Sequence, residues 1–201
     1  MQNIKALFRE EKINKTIENL KNNGFDVVLV NNVEEAEKLT LQEIPRGSSI
    51  SMGGSVTLNM TGLLQKFRSE EYSFFERFAQ PTWEDTVKVM RESLLSDYLV
   101  TGTNAITEDG KLLQVDSGGN RVAGMAYGPK NVIVISGINK IVADTHEGLE
   151  RLKYAGPCNI SGKCENCSTH MRMCNFISII SNGKRPFGNV KVILIKEELG
   201  Y

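Results

Sequence analysis

The chain has no cysteine outside one short stretch, no net charge and no long apolar run. Lysine and arginine number 24, and aspartate and glutamate also number 24. That balance leaves no overall positive field to recruit nucleic acid or an anionic membrane. No segment approaches the roughly 20 consecutive apolar residues of a membrane-spanning helix. The opening MQNIKALFREEKINKTIENL is charged throughout and does not read as a signal peptide. There is no internal repeat, low-complexity tract or evident linker. With 40% hydrophobic and 24% charged residues, the 201-residue chain suits one soluble domain of ordinary size. A cytoplasmic setting is expected, where disulfides are disfavoured and grouped cysteines more often serve metals or redox chemistry.

All four cysteines, Cys158, Cys164, Cys167 and Cys174, stand together as C-x5-C-x2-C-x6-C. Thiolates are soft ligands, and a C-x2-C pair can reach one metal from both ends of a tight turn. Gly162 permits the backbone such a loop needs. Lys153, Lys163 and Arg172 would favour the thiolate form, and His170 inside the loop could replace one thiol. The spacing is neither that of the common zinc finger nor that of the bacterial ferredoxin run. Tetrahedral zinc and a [4Fe-4S] cluster both fit four thiols, and free reduced cysteines are the plain alternative.

Along the chain, apolar spacing predicts a helix through residues 4–20, ended by Asn22-Asn23-Gly24. Strands are predicted at 27–30, 48–52, 98–101 and 132–135 from short continuous apolar runs. Helices are predicted at 33–39, over Met60-Leu63-Leu64-Phe67, after a Thr82 cap, and from Asp144-x-x-Glu147. Asp109-Gly110 marks a hairpin between 105–107 and 112–115. Residues 176–180 and 190–195 read as a closing pair of strands joined through Asn182-Gly183. Strands alternating with helices give an α/β fold with a mixed, mainly parallel sheet. One domain is expected over 1–201: an N-terminal helical segment at 1–24, an α/β core at 25–155, a cysteine-rich loop at 156–175 and closing strands at 176–201.

Three loops can carry chemistry. Ser51-Met52-Gly53-Gly54-Ser55-Val56-Thr57 joins a strand to a helix. Its free N–H groups, with the Ser55 and Thr57 hydroxyls, can hold a phosphate or carboxylate. It lacks the Gly-Lys-Ser/Thr of a Walker loop and the full Rossmann spacing, so a tight turn with a serine cap is the simpler alternative. Thr101-Gly102-Thr103-Asn104 ends a buried strand and suits a cleft wall. Glu108, close behind, is either a base or nucleophile or only part of a solvated hairpin tip. Asp116-Ser117-Gly118-Gly119-Asn120-Arg121 can present Asn120 and Arg121 to an anion, or leave Arg121 on the surface. Trp83 reads as a packing residue.

Together these stretches resemble the LUD domain family, the lactate-utilisation proteins once grouped as a domain of unknown function. The resemblance is strongest from Tyr98 to Asp144, in LVTGTNAITEDGKL, GGNRVA and GPKNVIVISGINKIV. SMGGSVT also matches, and Pro157 through Asn175 is similar to a cysteine-bearing subgroup. The resemblance implies the NagB/RpiA/CoA-transferase type of Rossmann-like fold. It maps the pocket onto Gly53, Gly54, Ser55, Thr101, Gly102, Thr103, Asn104, Glu108, Asn120 and Arg121. Family members of the lactate-utilisation type work beside iron–sulfur subunits in oxidising lactate to pyruvate. The functions this leaves open are a redox-associated protein binding a small anionic molecule, a transferase or isomerase of a CoA ester or sugar phosphate with Glu108 as nucleophile or base, and a non-catalytic docking subunit. A homodimer is the default assembly.

Overall fold

The computed structural model describes residues 2–155 and 175–200. The expected metal ligands Cys158, Cys164, Cys167 and Cys174 lie outside them. The elements are α1 (Gln2–Asn22), β1 (Asp26–Val30), α2 (Val33–Glu43), β2 (Ser49–Met52), α3 (Val56–Asn59), α4 (Leu63–Phe67), β3 (Ser73–Phe74), α5 (Trp83–Glu92), β4 (Tyr98–Thr101), β5 (Ala105–Thr107), β6 (Leu112–Asp116), α6 (Asn120–Tyr127), β7 (Asn131–Gly137), β8 (Ile141–Val142), α7 (Thr145–Ala155), β9 (Phe176–Ile180), β10 (Lys184–Arg185) and β11 (Gly188–Ile195).

The main sheet runs β1-β11-β7-β4-β2-β3, parallel throughout, with β10 added antiparallel on β11. Its central strands are continuous apolar runs because both faces are covered. Successive side chains of a strand point to opposite faces, and β7 shows the consequence. Val132 and Val134 enter one core with Ile13, Leu20 and Met125. Ile133 and Ile135 enter the other with Ala36, Leu58, Leu63 and Phe67. A second sheet, β8-β5-β6-β9, is built on the expected hairpin. Gly110 turns it at φ 83°, a left-handed conformation that glycine adopts without a Cβ clash.

Caps set the helix starts as the residue types dictate. Thr82 Oγ1 accepts from Asp85 N at 3.1 Å, and Asp144 Oδ1 accepts from Glu147 N at 2.9 Å, each satisfying an otherwise orphaned first-turn donor. Gly24, at φ 80°, lets the chain leave α1.

Two expectations need correction. The helix expected through Met60 to Phe67 is two short helices, α3 and α4. The break falls where Glu37 Oε2 accepts the Gly62 N–H at 2.8 Å, and Met60 turns out to solvent while Leu63 and Phe67 are buried. The last two long strands both form but do not pair. β11 lies between β1 and β7, and β9 lies on β6 in the other sheet. Burial gives the reason. Val190 and Val192 through Ile195 are fully covered, a pattern only the sheet centre accommodates, whereas Phe176, Ile177 and Ile179 are exposed along an edge strand.

Candidate anion-binding cavity

In a parallel sheet every strand ends on the same edge, and ligands of open α/β sheets sit in the crevice outside those ends. Here the turns after β2, β4 and β7 meet the end of β6 and the start of α6 around a cavity of about 220 Å³. Gly54, Ser55 and Thr57 line it from the first turn, Thr103 and Asn104 from the second, and Asn120 and Arg121 from α6. The expected residues Gly53, Thr101 and Gly102 stand outside this lining. A Cβ on Gly53 would come within 2.5 Å of Thr101 Oγ1, and one on Gly102 within 2.5 Å of Ser55 Oγ. These glycines therefore let two turns pack against each other.

Arg121 is buried, at 8% exposure. Its Nη2 donates to the Val115 carbonyl and to Asn104 Oδ1, and Nη1 donates to the Gly54 carbonyl at 3.4 Å. Asp116 Oδ1 lies 3.4 Å from Nη2. Asp116 Oδ2 also accepts the backbone N–H groups of Arg121 and Val122, at 2.7 and 3.0 Å. One carboxylate thus serves both as counter-ion and as partner to the first N–H groups of α6. Arg121 Nε is buried without a hydrogen-bond partner among the described residues.

Two further cations line the cavity that loop patterns did not single out, Arg77 and Lys140. Arg77 Nε donates to the Met52 carbonyl at 3.2 Å, and its guanidinium sits 4.5 Å over the Phe78 ring. It fits because residue 54 is glycine: a Cβ there would meet Arg77 Nη2 at 2.6 Å. Burial pulls the Arg77 guanidinium below its ordinary pKa, Asp116 opposes that shift and Arg121 adds to it.

Lys140 ends the 3₁₀ turn Ile138–Lys140 after β7 and is 4% exposed. Its Nζ donates to Thr57 Oγ1 at 2.8 Å and to the Thr103 carbonyl at 3.0 Å. Burial, then the like charges of Arg151 and Arg121, lower its pKa from 10.5 to about 7. Among the described residues it forms no ion pair. A lone lysine within the apolar stretch 132–143 was the available signal for it. Arg77, in an irregular polar–aromatic segment, offered none.

Trp83, expected in packing, is 70% exposed. It stands in the first turn of α5 and lines the cavity, as does Met90 two turns on. Glu108 is elsewhere. It lies over α1, 3.5 Å from Lys12 Nζ and 3.3 Å from Lys15 Nζ, and Asn19 Nδ2 donates to its carbonyl at 2.7 Å. Among the described residues no histidine, cysteine, aspartate and glutamate grouping of three or more could hold a metal. No helix among them is long and apolar enough to cross a membrane.

The LUD domain model matches residues 13–195. Among solved structures, the chain is similar to a DUF162 family protein from Deinococcus radiodurans. The TM-score is 0.59 at 14% identity, covering 93% of this chain and 98% of that one, a likeness that speaks for the fold. No curated protein matches. The family match over residues 13–195, most of the chain, makes this protein a member of the LUD domain family.

Proposed function

We propose that this protein binds a small carboxylate in the cavity, in lactate-type redox metabolism of small carboxylates. The observation that carries the reading is charge: Arg77, Arg121 and Lys140 line the same space, with Asp116 as the sole carboxylate in its lining among the described residues. Buried cations need partners, and a ligand carboxylate can accept the guanidinium donors, Arg121 Nε included. The transferase reading draws less support, since Glu108 is committed to α1.

The same proposal extends to Cys158, Cys164, Cys167 and Cys174 as ligands of a [4Fe-4S] cluster or a zinc ion. Their donor set, four thiolates, fits both groups. A cluster would supply one-electron transfer, and zinc would fasten the loop. Support for a link with the cavity comes from Asn175, the residue bonded to Cys174. Its Nδ2 donates to the Ser117 carbonyl at 2.9 Å, and Ser117 lines the cavity. We place the protein beside iron–sulfur partner subunits, with a homodimer as its own assembly.

Trp83 is the only tryptophan and lines the cavity, so its fluorescence tests the reading directly. Titration with L-lactate or pyruvate should change the emission saturably, and the change should vanish in Arg121→Met. A flat response to both ligands, confirmed by calorimetry, would remove the carboxylate reading. Metal and sulfide analysis of anaerobically purified protein tests the cysteine proposal: iron with sulfide supports the cluster, zinc alone supports a fastener, and neither overturns both.

A further inference from the structure

Lys140 is more than a third cation. Thr57 Oγ1 donates its own proton to the Leu199 carbonyl at 3.3 Å, so toward Lys140 it acts as acceptor. The Thr103 carbonyl can only accept. Two N–H groups of Nζ are therefore committed, and what remains is either a third N–H or a lone pair. Among the described residues, the charged groups that bear on the amine are Arg151 and Arg121, both of which disfavour the ammonium form. Of the other charged groups lining the cavity, Asp116 is taken by Arg121 and by the start of α6, and Arg77 adds positive charge. The amine at the cavity wall is thus neutral in about half of the molecules near pH 7, the state in which a lysine is a nucleophile.

Arg121 and Lys140 meet the same turn at adjacent residues. Arg121 Nη2 reaches Asn104 Oδ1 at 3.1 Å, and Lys140 Nζ reaches the Thr103 carbonyl at 3.0 Å. A ligand with a carboxylate next to a carbonyl can address both side chains from within the cavity they line, with its acid group toward the guanidiniums and its carbonyl toward the amine.

Resting on the carboxylate reading above, we propose that Lys140 forms a reversible imine with the carbonyl carbon of a bound 2-oxo acid. A nitrogen–carbon bond forms, the carbonyl carbon–oxygen bond breaks, and the oxygen leaves as water with the two amine protons. No oxidant or reductant enters. When the imine is protonated, the ligand's own carboxylate supplies the counter-ion that the unliganded amine lacks among the described residues.

The test is trapping with pyruvate and cyanoborohydride, which delivers hydride to the imine and fixes a secondary amine. Peptide mapping of the wild-type protein should find the reduced adduct on Lys140. It should form on the order of a hundredfold faster than on fully solvated lysines in general, whose ordinary pKa near 10.4 keeps nearly all of them protonated at neutral pH. Lys140→Met should lose that adduct, and the wild-type map does not depend on the variant folding. Parallel calorimetry with pyruvate separates the two claims. Pyruvate binding without preferential labelling of Lys140 overturns the imine and leaves the carboxylate reading standing. No binding and no adduct overturns both.

Discussion

Thr57 and Lys140, 83 residues apart, are joined by a 2.8 Å hydrogen bond from Nζ to Oγ1. The bond closes the turn after β2 onto the turn after β7. The Thr57 hydroxyl passes on to the Leu199 carbonyl, so the C-terminal segment is tied to the same point. This polar link forms part of the wall of a cavity whose other cations come from the start of α6 and from the segment before α5.

The buried amine should make stability depend on pH. Its pKa falls from 10.5 to about 7 on folding, so the unfolded chain binds more protons between those values. Stability from this group therefore rises as pH climbs through that window. Below about 7 the folded amine is charged and carries the full penalty of burial and of its like-charged neighbours, on the order of 5 kcal/mol. Lys140→Met should raise Tm at about pH 6, and the gain should shrink toward about pH 10. A pH-independent difference in Tm would contradict this.

Gly54→Ala should separate binding from stability. The added Cβ would meet Arg77 Nη2 at 2.6 Å and nothing else closer than 3.9 Å. Only the tip of a long side chain has to move, so the change in unfolding free energy should stay within about 1 kcal/mol. Carboxylate affinity should fall, because the guanidinium is displaced. Unchanged affinity measured by Trp83 fluorescence would show that Arg77 does not touch the ligand.

Arg121→Met should do the reverse and lower both. It strips Asp116 of its counter-ion and removes a donor from the Val115 carbonyl, while Asn104 Oδ1 keeps only the Val115 N–H at 3.0 Å. Breaking a buried pair from one side typically costs about 3–5 kcal/mol. The lower end applies, since the N–H groups of residues 121 and 122 still hold Asp116. Urea unfolding measures it, and a loss below about 1 kcal/mol, the worth of an exposed pair, would contradict it.

Glu108→Gln should leave ligand binding untouched. Its partners Lys12 and Lys15 are 37% and 62% exposed, so losing the pairs should cost at most about 1 kcal/mol. A large drop in carboxylate affinity would bring Glu108 back into the site.

Much of this was legible in the residues themselves. The apolar run at 132–135 announced a strand covered on both faces, and Asp109-Gly110 announced the hairpin, because both signals are local. The separation of β9 from β11 was not legible, since strand partners depend on which faces the rest of the chain leaves open. At the site, Gly54, Thr57, Asn104 and Arg121 could be picked from glycine-rich turns at strand ends. Arg77 could not, because its place depends on a missing Cβ at Gly54. The importance of Lys140 emerges only once Arg121 and Arg151 are brought near it.

The central claim is a cavity whose three lining cations, set against one carboxylate among the described residues, bind a small carboxylate, and calorimetric titration of pyruvate into the wild-type protein and Arg77→Met tests it most directly. The account predicts one site per chain, weakened about tenfold in the variant, as expected for a lost charge-assisted contact. No heat of binding in the wild type, or equal affinity in the two proteins, would contradict it.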